Sequence, residues 1–347
     1  MKKSVLIYGL TILLWVVSAR AVTVTQLYTA SLPVSQRVLQ PSLMVEAQLL
    51  NEVLVRVSGN SKVSDQDVIA AALKAPQQYV QQYFYSRNNK QLLLSIHFDP
   101  MAVKQLLSQA GQAVWGNNRP LMLVWLVSKT PANQPQIMSA TSNDPLLSLF
   151  EKIGTQRGVP IVFPIQDITD MQAISIAQIL SGDDKAISAA SARYMPDVIL
   201  TVTVDATDQD VITSHWQLSV NGQTYSWNVL GPDQATITKL GLDDVIDRLA
   251  QEYSIVEGGS QSQVQIQING LNDARDYAGM LHYLSRLNGV SDVNIVSISG
   301  DQASFMLNVR GGATALAKQI ALGHILIKPA GTEASAGQQN LIYIKRN

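Results

Sequence analysis

Leu121-Met122-Leu123-Val124-Trp125-Leu126-Val127 is a nearly unbroken apolar run of strand length. A strand with one wet face alternates polar and apolar residues, so a run without alternation implies a strand covered on both faces. The segments after it alternate between helix and strand. Asp144-Pro145 opens a helix that ends near Gly158, because an aspartate oxygen caps free N–H groups and proline at the first helical position loses no needed donor. A short strand (Pro160 to Phe163), one or two helices up to Tyr194 and a strand from Asp197 to Val204 follow. Two further strands bracket Asn221-Gly222, a two-residue hairpin signal in which both positions tolerate positive φ. A helix from about Ala235 to Tyr253 closes a block covering residues 119–256. The order predicts a mixed sheet with helices packed on it. Ser128 to Asn143, polar and carrying Pro131 and Pro135, reads as a loop.

Upstream, residues 22–118 read as a small α/β domain. Val22-Thr23-Val24 and Tyr28 suggest an opening strand. Leu43, Ala47, Leu50, Leu54 and Val57 form a helical stripe that Ser58-Gly59-Asn60 ends with a glycine stop. Ser64, followed by Asp67, predicts a capped helix through Leu73. Pro76 is expected to start a short aromatic helix carrying Tyr79, Val80, Tyr83 and Phe84. Leu92, Leu94, Ile96 and Phe98 alternate as a strand, and Asp99-Pro100 opens a helix to about Ala110.

Downstream, Glu257-Gly258-Gly259-Ser260-Gln261-Ser262 is small, polar and without periodicity, and residues 257–263 read as a linker. Residues 264–347 then give a strand (Val264, Ile266, Ile268), a helical stripe (Tyr277, Leu281, Leu284, Leu287) ended by Asn288-Gly289, and strands at Val293 to Ile298 and Ala303 to Val309. A helix at Ala313 to Ile320 follows, with a last strand at Ile325–Ile327 or Leu341–Ile344. That is the split βαβ, ferredoxin-like order. Ala330 to Gln339 reads as a mobile loop. The fold class is therefore α/β and α+β multidomain, with mixed sheets, packed helices and a ferredoxin-like C-terminal domain.

Composition narrows the function. The 347 residues are 46% hydrophobic and 15% charged, with no cysteine and a net charge of −1. A balance of 25 basic and 26 acidic residues excludes an electrostatic nucleic-acid binder, which needs a basic face for phosphates. Without cysteine there is no thiol catalysis, iron–sulfur cluster, disulfide or lipoprotein anchor. Met1-Lys2-Lys3, the apolar stretch Val5 to Val17 and the small-x-small Ala19-Arg20-Ala21 have the layout of a secretory signal peptide over residues 1–21, cleaved after Ala21. Removing it takes away Lys2, Lys3 and Arg20 and no acid, leaving 22 basic against 26 acidic residues, a net −4. No later segment is an integral membrane span. The expected compartment is the periplasm, with secretion as the alternative.

No phosphate-binding loop, dinucleotide fingerprint, zincin motif or nucleophile elbow is present. His97, His215, His282 and His324 are scattered. His97 beside Asp99 is read as a strand histidine near a helix cap rather than a base. His282 and His324 could meet in the third domain, but without a carboxylate cluster beside them in sequence. Asp205, Asp208 and Asp210 could hold calcium, though they miss the EF-hand spacing and aspartate is common in turns. Asp183-Asp184 favours a helix N-terminus. Asp244 and Arg248 are an i, i+4 pair, with Asp243 and Asp247 continuing a solvated face. No catalytic, cofactor or metal residue is assigned. The interaction candidates are Trp115 and Arg119, at the join of the first two blocks, and Arg193 and Tyr194, at the end of a helix. Arg and Tyr dominate interface hot spots; against that, Tyr194 packs and Arg193 caps carbonyls or pairs with Asp197.

Val53-Leu54-Val55-Arg56-Val57-Ser58-Gly59, the Trp115…Asn118-Arg119-Pro120 join with Leu123-Val124-Trp125-Leu126, Ala190-Ser191-Ala192-Arg193-Tyr194 and the pattern from Tyr277 to Leu287, behind an exported N-terminus, resemble a family of exported Gram-negative proteins known as domain of unknown function 2066. The resemblance implies an exported protein and supplies no catalytic residues. More loosely, the element order of the second block is similar to the amino-terminal domain of the Tol-system protein and to the middle domain of a flagellar H-ring protein, both assembly and interaction proteins. The reading is a non-catalytic periplasmic envelope scaffold or assembly factor that binds other envelope proteins and weakly self-associates through residues 264–345. The alternative is a hydrolase or sugar-binding module with a site in residues 119–256.

Overall fold

The computed structural model describes residues 24–88, 91–131, 133–208, 210–256, 259–329 and 340–346. The signal segment with Ala21, the Val22-Thr23 start of the expected first strand, and Ala330 to Gln339 lie outside them.

The first domain begins with β1 (Thr29–Val34) and α1 (Leu43–Ser58). Gly59, at φ 74°, ends α1 by donating its N–H to Val55 O. A Cβ there would collide with Ala250 and the Trp115 ring, so this glycine both turns the chain and admits the second domain. α2 (Asp67–Ala72) starts at Gln66 without a side-chain cap, and Ser64 lies in the 3₁₀ turn before it. After Pro76–Tyr79, a single 3₁₀ turn, the aromatic stretch is a strand, β2 (Val80–Asn88), paired with β3 (Gln91–Phe98). The expected helix there gives way because Tyr83 and Tyr85 pair across the strand with Ile96 and Leu94. β-branched and aromatic residues fit a pleated surface better than a helix. α3 (Pro100–Gln109) is capped by Asp99, and β4 (Ala113–Val114) ends the domain. The sheet order is β1-β3-β2. α1 buries Leu49, Leu50, Val53, Leu54 and Val57 against this sheet and its neighbours.

The second domain is built on β5 (Met122–Thr130), buried from Met122 to Ser128. The expected loop after it contains β6 (Asn133–Ile137), an antiparallel edge strand. Pro135 is compatible with this because an edge strand leaves one row of amides unpaired. α4 (Pro145–Arg157) and β7 (Ile161–Val162) follow. Three short helices, α5 (Ile168–Ala173), α6 (Ile176–Leu180) and α7 (Asp184–Ser191), lead into a 3₁₀ turn at Ala192–Tyr194. β8 (Val198–Asp205) runs parallel to β5. β9 (Ile212–Val220) and β10 (Gln223–Gly231) form the hairpin around Asn221 and Gly222, at φ 51° and 75°. α8 (Gln234–Tyr253) and α4 cover one sheet face over Phe150, Trp216 and Leu249. α5 to α7 cover the other over Trp125, Ile179 and Ile187. The strand order is β10-β9-β8-β5-β6, with β7 also on β5.

β11 (Ile255–Val256) pairs with β4 of the first domain. The third domain follows as β12 (Gln261–Asn269), α9 (Ala274–Ser285), β13 (Val290–Ser299), β14 (Gln302–Arg310), α10 (Gly312–Gly323), β15 (Leu326–Ile327) and β16 (Asn340–Lys345). β12 starts inside the segment expected to be linker. Both candidate last strands exist. The sheet order β13-β14-β12-β16-β15 keeps the split βαβ and inserts β16, parallel to β12, between it and β15. Its helical face is buried over Ile266, Leu284, Phe305 and Ile320. Among the described residues no helix is long and apolar enough to cross a membrane.

Candidate interaction surface

The four candidate residues fall into two separate places. Trp115 and Arg119 are fully buried between the first two domains. The Arg119 guanidinium lies 3.9 Å from the Trp115 ring centroid. It donates to Gly116 O (2.7 Å), Trp115 O (2.9 Å) and Arg56 O (2.9 Å). Burial pushes its pKa well down, and Arg56 and Arg157 push the same way. Two residues given no role in the sequence reading complete the joint. Arg56 donates to Gln156 O, Gln26 O and Thr29 O and pairs with Glu52 at 2.5 Å. Arg157 reaches from α4 to Gly59 O (2.8 Å), Asp247 (2.5 Å) and Asp243. Asp243 and Asp247 are therefore not a solvated face, and Asp247 also accepts from the Ser61 N–H and hydroxyl. Arg248 lies over the Tyr225 and Trp227 rings. The Val53–Gly59 and Trp115–Pro120 motifs thus meet as one internal joint. No surface is left on Trp115 or Arg119 for an outside partner.

Arg193 and Tyr194 sit on the surface of the second domain. Arg193 meets Asp167 with two parallel hydrogen bonds (2.7 and 2.9 Å) and Asp170 with a third (2.9 Å). Tyr194 donates to Asp170 Oδ2 (2.6 Å), and its hydroxyl accepts from the Ile165 N–H (2.9 Å). Asp170 is fully buried and accepts also from the Gln166 N–H (2.9 Å). The expected pairing of Arg193 with Asp197 does not form. Asp197 instead accepts from the Leu121 N–H (2.7 Å) and faces His324. The Arg193 hydrogen bonds hold the Asp167 carboxyl at about 2. Partial burial, then the bond to Asp170, raises the Tyr194 hydroxyl. Both carboxylates and the Tyr194 hydroxyl are engaged within the network.

The network braces an apolar surface. Ile168 is 74% and Met171 66% exposed on α5, one turn apart, and Ile165 and Met195, beside the network, are exposed as well. Gln166 and Met195 hold positive φ (59° and 47°). Asp167 and Asp170 escaped the sequence reading; their i, i+3 spacing before an apolar residue is a helix-start signal, since Asp167 caps the Asp170 N–H.

The other candidates are engaged locally. His97 Nδ1 lies 2.9 Å from Thr29 Oγ1, while Asp99 caps α3. Asp205 is taken by Lys129 and Thr207, and Asp208 accepts from the Asp210 N–H. His282 lies near Arg286 and His324 near Asp197, so these histidines do not share a site. Asp183 caps α7. Among the described residues no group of three or more His, Asp or Glu could hold a metal ion.

Residues 21–116 match a family described as a domain of unknown function, DUF8605. That description does not carry the 2066 name to which the sequence motifs are similar. No curated protein matches. Solved structures with local likeness include the C-terminal domain of LpoB from Salmonella enterica, at 16% identity and TM-score 0.23 over 33% of this chain and 83% of that one. Another is the competence damage-inducible protein A of Klebsiella pneumoniae, at 10% identity and TM-score 0.24 over 44% and 92%. A third is the lipoprotein GNA1162 of Neisseria meningitidis, at 14% identity and TM-score 0.22 over 38% and 95%. Scores of this size bear no functional inference.

Proposed function

We propose that the chain is a non-catalytic periplasmic assembly or interaction factor, exported by a leader cleaved after Ala21, that binds another envelope protein through the Ile165–Met195 surface of its second domain. The observation that carries this is the exposed Ile165, Ile168, Met171 and Met195 set on the hydrogen-bonded Arg193–Asp167–Asp170–Tyr194 brace. Exposed apolar side chains on a rigid, polar-rimmed base are the make-up of a hot-spot patch, and methionine adapts to a partner's shape. Self-association through residues 264–345 would use the free edge of β13. That edge carries bulges between Val290 and Asp292 and between Ile295 and Ser297, which blunt strand addition and keep such pairing weak.

A photo-crosslinking residue at position 168, in cells making the protein at its native level, tests the reading. The expected result is one discrete adduct that is missing with the crosslinker at exposed Leu240 on α8, and missing from position 168 when Met171→Asp is added. Adducts that are equal at both positions, or absent, would reject this surface.

A further inference from the structure

A second exposed apolar surface lies on the first domain, away from the brace. The segment between β1 and α1 carries Val38 and Leu39, and the first turn of α1 carries Leu43 and Met44. Leu39 is 97% and Met44 80% exposed, and Val38 and Leu43 are exposed with them. Four large apolar side chains within seven residues, all turned to solvent, form a cluster, whereas the domain's other exposed apolar residues, Val68, Phe84 and Met101, are scattered along the sequence.

The segment is held rather than loose. Tyr85 donates to Val38 O (3.0 Å) and accepts from the Val38 N–H (3.1 Å), and Tyr83 donates to Leu39 O. Both carbonyls therefore have partners inside the protein. Backbone groups satisfied internally can leave bulk water without an orphaned donor or acceptor, a requirement for entering a lipid interface. The two tyrosines also supply the amphipathic rings that favour the headgroup level.

Charge distinguishes the occupant. Residues 24–45 and 76–98 contain no Asp or Glu, in a chain with 26 acids overall. Arg37, exposed beside Val38, lies 5.8 Å from the Tyr85 ring centroid. Arg87 is exposed on the same strand two residues beyond Tyr85. Neither arginine has a carboxylate partner among the described residues, whereas Arg56, Arg157 and Arg193 all do. The positive end of α1 opens at the same place. Glu46, the acid in the first turn of α1, is buried, so the exposed charges beside these apolar side chains are the two arginines, a make-up that matches an anionic lipid surface better than a protein groove.

We infer that this tip docks the protein peripherally on an anionic membrane surface, with Leu39 and Met44 entering the acyl boundary and Arg37 and Arg87 on the headgroups. The inference is independent of the protein-binding surface proposed above.

The test uses the chain lacking residues 1–21, since that apolar leader would partition by itself. It is sedimented with vesicles of phosphatidylcholine alone or with a third phosphatidylglycerol. The expected result is binding to the anionic vesicles only, weakened by 0.5 M salt. The double substitution L39E/M44E should reduce binding by about tenfold or more, because burying one large apolar side chain already corresponds to about that factor. R37E/R87E should abolish it. All four positions are exposed, so an unchanged melting curve shows that the variants fold. Leu39→Trp gives a direct reading, with an emission blue shift on anionic vesicles. Absence of binding, equal binding to both lipids, or binding unaffected by L39E/M44E would overturn the inference and leave the tip to a protein partner.

Discussion

Arg119 carries its charge into a site with no solvent exposure, where burial and the charges of Arg56 and Arg157 all oppose it. Three carbonyls and the face of Trp115 hold it there. A lysine cannot reproduce a planar fork that reaches three acceptors while stacking on an indole. Arg119→Lys should therefore lower stability by about 2–4 kcal/mol through carbonyls left buried without a partner. Urea unfolding with an unchanged slope would check it, and a loss under 1 kcal/mol would show that the joint repacks. Asp167 offers a test in acid. Its carboxyl is held at about 2 by Arg193, below an unfolded value of about 3.9. A depressed carboxylate stabilises fully above the unfolded value and loses that contribution as pH falls through the folded one. Protection of the Asp170 and Met171 amides, corrected for intrinsic exchange, should thus decline between about pH 4 and pH 2. Asp167→Asn should remove that decline. The sequence placed Arg193 and Tyr194 at a helix end but could not supply their partners, because Asp167 and Asp170 lie more than twenty residues upstream, across a fold it does not display.

At the scale of elements, the signals that were legible are those that act within a few residues. Asp99, Asp144 and Asp183 cap the helices they precede, Gly59 and Gly158 stop theirs in the left-handed region, and Asn221-Gly222 turns its hairpin. Misreadings occurred where pairing across strands decided the outcome, as for β2 and for β6. Helical glycines give an element-level test because two of them face opposite surroundings. A Cβ at Gly241 on α8 would sit inside the Trp216 indole, in a row where Trp216 stacks between Phe150 and Trp227. Gly279 on α9 has open space at the same point. Gly241→Ala should cost about 1–3 kcal/mol by overpacking and alter the near-ultraviolet dichroism of the tryptophans. Gly279→Ala should stabilise by about 0.5–1 kcal/mol, because alanine fits a helix better and restricts the unfolded chain. Equal effects at the two sites would mean that α8 is not seated on Trp216 as described.

Across the whole molecule, three domains, the last two of which the sequence separates by a composition-based linker, are joined by contacts between distant residues. β4 pairs with β11, Asn288 donates to Val114 O, Gln319 donates to Tyr253 O, and Leu322 enters the core of the second domain. The Glu257–Ser262 composition predicts a linker and is silent on what docks beyond it. One docking contact titrates. His324, the left-handed residue ending α10, places Nε2 2.9 Å from Asp197 Oδ1. That carboxylate raises the imidazole above its usual 6.5, and partial burial and Arg346 only partly oppose it. A histidine raised by folding stabilises fully below its unfolded pKa, near 6.5, and its contribution disappears as pH rises through the folded value. The third domain should therefore be held most firmly in mild acid and loosen as pH rises through the raised folded value. Asp197 also anchors the Leu121 N–H at the start of β5, so the clean variant is His324→Gln, which leaves that carboxylate in place. The melting temperature of the wild type should exceed that of His324→Gln at pH 5.5, and the gap should narrow as the solution is made alkaline. Hydrogen exchange should localise the difference to α10 and the end of α8. A gap that stays constant with pH would mean that His324 holds the domain by packing, not by charge.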